Sequence, residues 1–241
     1  MTPDRPIGVR INKFLADSGR CSRREADQLV ASGAVLIDGS VAQAGSRVLP
    51  GQTVTVSGEP VLQNADLVYL ILYKPVGITC TTDTRRRDNI IDYLGYPQRV
   101  FPIGRLDRDS EGLIFLTNDG DIVNRILRAE NHHEKEYRVT VDKPVTPEFL
   151  RQMASGVPIL GTVTRPCRVT AESKYNFRIV LTQGLNRQIR RMCDVFGYDV
   201  KRLVRTRIMH IAIGSMKPGQ WRPFTFHELS ELKRLLGLSK S

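Results

Sequence analysis

Cysteine is scarce in this chain and badly spaced for metal. Four are spread over 241 residues, Cys21, Cys80, Cys167 and Cys193, and no Cys-x-x-Cys occurs. Structural zinc sites take ligands a few residues apart, and His132-His133-Glu134 lacks the second histidine of a zinc-protease helix. No metal is expected, and the thiols read as free in a reducing compartment. No apolar run approaches the roughly 18 residues that cross a bilayer, and Met1-Thr-Pro-Asp-Arg5 offers no apolar leader. A cytoplasmic protein without a membrane segment is the expectation. Glycine-rich phosphate loops of the Walker or dinucleotide kind are missing as well, so neither ATP nor a nicotinamide is implied, and no cofactor is expected. Acid is short relative to base: 25 Asp and Glu stand against 36 Lys and Arg, a formal net charge of +11. Such an excess points to a polyanionic partner.

The length allows one large domain or two smaller ones, and the texture favours two. In the first sixty residues, Ile11, Phe14 and Leu15 form one face of a short helix, with Arg10 and Lys13 outside it. Ser22-Arg-Arg-Glu25 is a capping box, in which the serine oxygen accepts from an orphan amide and the glutamate reaches back. It opens a helix with Ala26, Leu29 and Val30 inward, closed by Gly33. Ala34 to Ile37 and the segment from Val41 flank Asp38-Gly39, a tight-hairpin signal, and Pro50-Gly51 turns the chain into a strand from Thr53 to Val56. Arg10, Lys13, Arg20, Arg23 and Arg24 gather near the two helix starts, where cations and free backbone N–H groups suit phosphate.

Residues 57–66, polar and containing Ser57-Gly-Glu-Pro60, read as a linker. Beyond it long strands alternate with helices. Strands are expected over Val68 to Tyr73, Gly112 to Thr117, Lys135 to Val141 and Phe177 to Leu181. Helices are expected after Thr146-Pro147, from Asn186 (Ile189, Met192, Cys193 and Phe196 inward) and after the capping box Thr225-Phe-His-Glu228. This second part reads as α/β in the α+β sense, with a mixed, mostly antiparallel sheet.

Residues 99–120 concentrate the chemistry. Arg99-Val-Phe-Pro-Ile-Gly-Arg-Leu-Asp107 leads through Arg-Asp-Ser-Glu-Gly112 into the apolar strand, so Asp107 stands behind Arg105 in a glycine-bounded loop. Gly, Asp, Asn and Ser also cluster in plain surface turns. Gly104-Arg-Leu-Asp107, however, resembles the catalytic motif of RNA pseudouridine synthases, in the small two-domain, small-subunit-type branch that modifies ribosomal RNA. Further matches lie in Asp88-Asn-Ile-Ile-Asp92, His133-Glu-Lys-Glu-Tyr137, Ser155-Gly-Val-Pro-Ile-Leu-Gly-Thr162 and Gln183 to Cys193. Together they come closest to the 23S rRNA pseudouridine synthase F subgroup. The N-terminal pattern Arg10-Ile-Asn-Lys13, Ser18-Gly-Arg-Cys-Ser-Arg-Arg-Glu-Ala26 and Gly33-x-Val35-x-Ile37-Asp-Gly39 resembles the S-four-type RNA-binding domain. Some relatives carry a long basic tail past the last helix, whereas this chain stops at Ser241.

The resemblance implies an S-four-type domain over residues 7–56 and a catalytic domain over residues 67–241. It implies an isomerase, working as a monomer, that turns a uridine of 23S rRNA, with room for tyrosine tRNA as a second substrate. Asp107 is then the catalytic carboxylate, nucleophile or base toward the sugar, and must be ionised. Arg190, in the late motif containing Gln-Ile-Arg, is its expected partner. Taken from the helix alone, Arg187, Arg190 and Arg191 share a face away from the apolar stripe and suit phosphates. Tyr137 stacks on the uracil, Leu203 and Ile208 lie beside it, and Arg105 fills the space the extruded base leaves. Lys74 and Pro75 are expected to shape the cleft. The alternative is a catalytically inactive RNA-binding ribosome assembly factor with the same fold. An RNA methyltransferase would need a glycine-rich cofactor loop where Lys74-Pro-Val-Gly77 stands.

Overall fold

The computed structural model describes residues 8–62, 66–127 and 132–238. The expected domain start at Ile7, the Met1–Arg5 segment, part of the expected linker (63–65) and the chain end at Ser241 lie outside them. The chain divides into two compact units, Met1–Leu67 and Val68–Ser241.

In the first unit, β1 (Val9–Arg10) and β4 (Arg47–Val48) form one ribbon, and α1 (Ile11–Asp17) and α2 (Arg23–Ala31) follow β1. A four-stranded sheet is built from β2 (Val35–Ile37), β3 (Ser40–Val41), β5 (Val54–Val56) and β6 (Glu59–Pro60), in the order β3-β2-β5-β6. Ser22 and Glu25 form the predicted reciprocal capping box of α2. Ile11, Phe14, Leu15, Ala26 and Val30 meet Val35, Val54 and Val56 in one core, and Leu29 packs on it from the rim. The expected linker is shorter than its composition suggests. Ser57-Gly58, both at positive φ, make a turn that lets Glu59 and Pro60 pair with Val56 and Thr55.

The second unit contains β7 (Tyr69–Lys74), α3 (Ile90–Leu94), β8 (Phe101–Ile103), β9 (Glu111–Thr117), α4 (Gly120–Leu127), β10 (Lys135–Val141) and α5 (Pro147–Ser155). The hairpin β11 (Pro158–Ile159) and β12 (Thr162–Val163) leads to β13 (Arg168–Ser173), β14 (Asn176–Leu181), α6 (Gln188–Val195) and β15 (Val200–Ile208). β16 (Ile211–Ala212), β17 (Trp221–Pro223) and α7 (Phe226–Leu235) complete it. Its sheet runs β13-β14-β10-β15-β9-β7-β17, with β16 on β15 and β8 on β9. Among the strand pairs of the described residues only β15–β9 is parallel, so the sheet is mixed and mostly antiparallel.

Burial explains why the strands read so differently. All seven residues of β9 are buried, because helices and loops cover the sheet there on both faces. Leu113 and Phe115 enter a core with Ile122, Ile126 and Ile208, whereas Ile114 and Leu116 join Leu70, Leu72 and Ile90. Each such side chain contributes roughly 1.5–3 kcal/mol of transfer free energy. On β10, by contrast, Val139 and Val141 enter a core with Phe149, Phe177 and Met192. The opposite face carries Arg138 and Arg178, both on Glu172, which gives the alternating pattern seen in the sequence.

α6 departs from expectation. It starts at Gln188 rather than Asn186, because Arg187 is its N-cap residue in the left-handed region (φ 50). The buried Gln188 side chain accepts the Leu185 amide and fixes this entry. All four cysteines are reduced thiols, and burial pushes those of Cys167 and Cys193 up to about 11 and about 12. Those two are inert at neutral pH.

Candidate active site

Two glycines frame the loop that carries Asp107. Gly104 (φ +75) ends β8, and a Cβ there would press on Leu127 at 3.1 Å. Gly112 (φ +115), the second residue of β9, stands opposite Arg205, where a Cβ would lie 2.4 Å from the Arg205 carbonyl oxygen and 2.5 Å from its nitrogen. No real side chain fits that gap, so the parallel β9–β15 pairing requires glycine. Between the glycines the loop is tied down repeatedly. The Gly77 amide donates to the Arg108 carbonyl at 2.7 Å, and the Ser110 amide to the Asp107 carbonyl at 3.1 Å. The Leu106 amide donates to Cys80 Sγ at 3.3 Å. Arg108 Nε donates to Asp88 at 2.9 Å. Hydrogen bonds from the Thr79 hydroxyl, then from Arg86 and Arg108, hold the Asp88 carboxyl far below the usual range.

Asp107 opens onto a cleft of about 600 Å³. Arg105, Tyr137, Arg187, Leu203 and Ile208 line the same cleft, so six of the expected residues, drawn from the catalytic loop, β10, the α6 entry and β15, come together. Leu203 and Ile208 also belong to two different cores, and Tyr137 packs against two; each serves packing and the cleft at once. Arg105 is exposed at the rim. Asp107 is less enclosed than a dry cleft would make it, its side chain 33% exposed.

The expected Asp107–Arg190 pair does not form. Arg190 turns inward, its side chain 12% exposed and its Nη2 3.3 Å from the Asp109 carboxylate. The same Nη2 donates to the Asp109 carbonyl at 3.0 Å, and Nη1 to the Val200 carbonyl at 2.9 Å. The cation near Asp107 is Arg187, at 3.8 Å, which also grips Asp109 at 3.2 Å. The shifted helix start causes the exchange. At the N-cap Arg187 swings toward the loop, and Arg190, in the first turn, reaches the loop backbone instead. Arg191 folds back on Asn186. Burial pulls the Asp109 carboxyl up, but Arg187's hydrogen bonds and Arg190's charge outweigh it and hold the group below its ordinary value.

Lys74 is fully buried, and its Nζ donates to the Pro75 and Ile78 carbonyls, both at 2.9 Å. Burial lowers its pKa. Arg205, Lys135 and Cys80 line the cleft as well, although the sequence assigns none of them a role. The one signal for Arg205 is an arginine directly after the apolar pair Leu203-Val204, where the strand is buried. In the first unit Arg10, Arg23 and Arg24 are exposed, while Lys13 holds Asp17 at 2.6 Å and Arg20 holds Glu59 at 2.7 Å.

A glycine-framed aspartate, an aromatic and two aliphatics share one cleft, an arrangement suited to holding a flat base beside a carboxylate. Residues 68–194 match the RNA pseudouridylate synthase family, and residues 9–54 match the S4 domain. The chain belongs to the RNA pseudouridylate synthase family, an isomerase with an N-terminal S4 domain. It is 55% identical to the dual-specificity RNA pseudouridine synthase RluF of Escherichia coli strain K12, over 100% of this chain and 83% of that protein. The ribosomal large subunit pseudouridine synthase B of Bacillus subtilis is 32% identical, over 96% of this chain and 98% of its own. A crystal structure of a pseudouridylate synthase, 29% identical, matches with a TM-score of 0.67 over 94% of this chain and 99% of that one. No described helix is long and apolar enough to cross a membrane.

Proposed function

We propose that this synthase isomerises one uridine of 23S rRNA and a second in the anticodon of tyrosine tRNA, with Asp107 as its catalytic carboxylate. The observation that carries the site is the convergence of Asp107, Tyr137, Arg105, Leu203 and Ile208 on one cleft from separate segments. The dual specificity in the name of the E. coli relative supports two RNA substrates. Tyr137 stacks on the uracil between Leu203 and Ile208, and Arg105, exposed at the rim, fills the stack when the base leaves it. Arg190 and Arg187 act on the loop that carries Asp107, and Arg10, Lys13, Arg20, Arg23 and Arg24 meet phosphates. Bonds are exchanged within one nucleotide, so no group donor is needed, and the protein works without metal or cofactor, as a monomer in the cytoplasm.

The test uses purified protein with no metal or nucleotide added, acting on protein-free 23S rRNA and tyrosine tRNA transcripts. Pseudouridine is mapped chemically, with Asp107→Asn as control. Modification of both transcripts by the wild type alone is the expected result. Modification of 16S rRNA instead would overturn the substrate reading and leave the chemistry. Binding without modification of any RNA would favour the inactive assembly factor.

A further inference from the structure

Arg205 is 3% exposed, and among the described residues its side chain meets carbonyl oxygens rather than a carboxylate. Its Nε donates to the Leu113 carbonyl at 2.6 Å and its Nη1 reaches the Arg105 carbonyl at 3.4 Å. Its buried Nη2 finds no partner among the described residues. An unpaired buried charge and an unspent buried donor both oppose folding, and such groups concentrate where a site needs them. Arg205 lines the cleft and stands opposite Tyr137 in the β10–β15 register.

The reaction creates the charge this group would meet. The N1–C1′ bond breaks with its electron pair left on the uracil, spread over N1, O2 and O4. The ring turns, the C5–C1′ bond forms, and the C5 proton departs while N1 regains one. We propose that Arg205 stabilises the negative charge on the departing uracil, through its fixed positive charge and its free Nη2 donor. This rests on the cleft around Asp107 being the active site. Lys135 is the nearest rival, since it also lines the cleft. Burial, and after it the charge of Arg205, lowers the Lys135 pKa, whereas a guanidinium keeps its proton at any working pH. Arg187 is already occupied by Asp109.

The test compares wild type, Arg205→Gln, Arg205→Lys and Lys135→Gln in single turnover. The substrates are 23S rRNA transcripts made with uridine or with 5-fluorouridine, and glycosidic cleavage is followed by nucleoside chromatography. Fluorine withdraws electrons and makes uracil a better leaving group, so it needs less help. Arg205→Gln should slow cleavage of uridine about 100-fold, the scale for losing one preorganised donor, while leaving RNA affinity within about twofold, because a uniform binding loss would not be specific to the transition state. Its loss on 5-fluorouridine should be roughly tenfold smaller. Arg205→Lys keeps the charge and should fall between, which also covers a poorly folded glutamine variant. Equal losses on both substrates in both variants would overturn the proposal. So would a leaving-group dependence seen with Lys135→Gln and not at Arg205. If Asp107→Asn still turns over in the same assay, the active-site reading fails and this inference fails with it.

Discussion

Arginines near the helix starts of the first unit are used in the opposite way to two that brace the Asp107 loop in the second. In the first, Arg10, Arg23 and Arg24 stand in water, and Arg20 pairs with the exposed Glu59. In the second, Arg190 and Arg205 are folded into the chain and hold the carbonyls of Asp109, Val200, Leu113 and Arg105. Exposed cations act at a distance, are screened by salt and contribute nearly additively. Buried ones act by geometry, and removing one disturbs everything it held. The same residue type should therefore give graded losses of affinity in one unit and abrupt losses of rate in the other.

The sharpest test of that contrast lies where charge and position coincide. Asp107→Asn keeps the side chain's size while removing its charge, and the loop around it is anchored independently through Gly77, Cys80 and Asp88. No detectable isomerisation is expected, a loss above about 10³-fold, with RNA affinity unchanged. Measurable turnover by the asparagine variant would remove Asp107 from the chemistry.

Arg190→Ala should come next. Asp107 keeps its own neighbours in this variant, but the Asp109 carbonyl and carboxylate are released from one clamp. Misplacing a reacting group by about 1 Å can cost on the order of 100-fold, and a fall of that size in single-turnover rate is expected. Arg187→Ala removes the cation nearest Asp107, but that side chain is 42% exposed and its pairings are screened, so a smaller loss is expected. Rates in the reverse order would show that charge beside Asp107 matters more than the clamp on its loop.

The exchange of Arg187 for Arg190 beside Asp107 is not written in the local sequence. Other local signals were legible: the Ser22–Glu25 and Thr225–Glu228 boxes, the Asp38-Gly39 hairpin and the apolar strand from Gly112 to Thr117 all follow from neighbours in the chain. That Asp107, Tyr137, Leu203 and Ile208 share one cleft was legible through motif resemblance. Which arginine faces which aspartate was not, because it turns on a single left-handed residue at Arg187. An arginine is an uncommon occupant of that region, and no local pattern announces it. Arg205 escaped for a related reason. Its importance comes from register against Gly112, which is set by long-range pairing.

In the first unit the expected effects are smaller and additive. If Arg10, Arg23 and Arg24 meet phosphates, each change to alanine should reduce the slope of log affinity against log salt by about one. Single-turnover rate at saturating enzyme should not move. Binding titrations at several salt concentrations measure this, and an unchanged slope in all three would place the phosphate-binding surface elsewhere.

The smallest effect separates fold from function in that same unit. Ser22 accepts the Glu25 amide at 3.2 Å, and the Ser22 amide donates to Glu25 at 2.6 Å. Thr225 and Glu228 repeat the arrangement in the second unit, where Arg222 additionally grips Glu228 at 2.7 Å. Losing a capping hydroxyl costs about 1 kcal/mol, so Ser22→Ala and Thr225→Ala should each lower stability on that scale. Glu228 keeps its arginine when the Thr225 hydroxyl goes, which still ties down the entry to α7 and should hold the cost of Thr225→Ala at the low end. Chemical denaturation of both variants checks these losses. Ser22 also stands one residue before Arg23 and Arg24, at the α2 start. If those cations act as solvated charges rather than as a built site, Ser22→Ala should shift the denaturation midpoint and leave the salt slope of RNA binding as it was. A slope that changed with the cap would mean that the α2 start is itself part of the phosphate-binding surface.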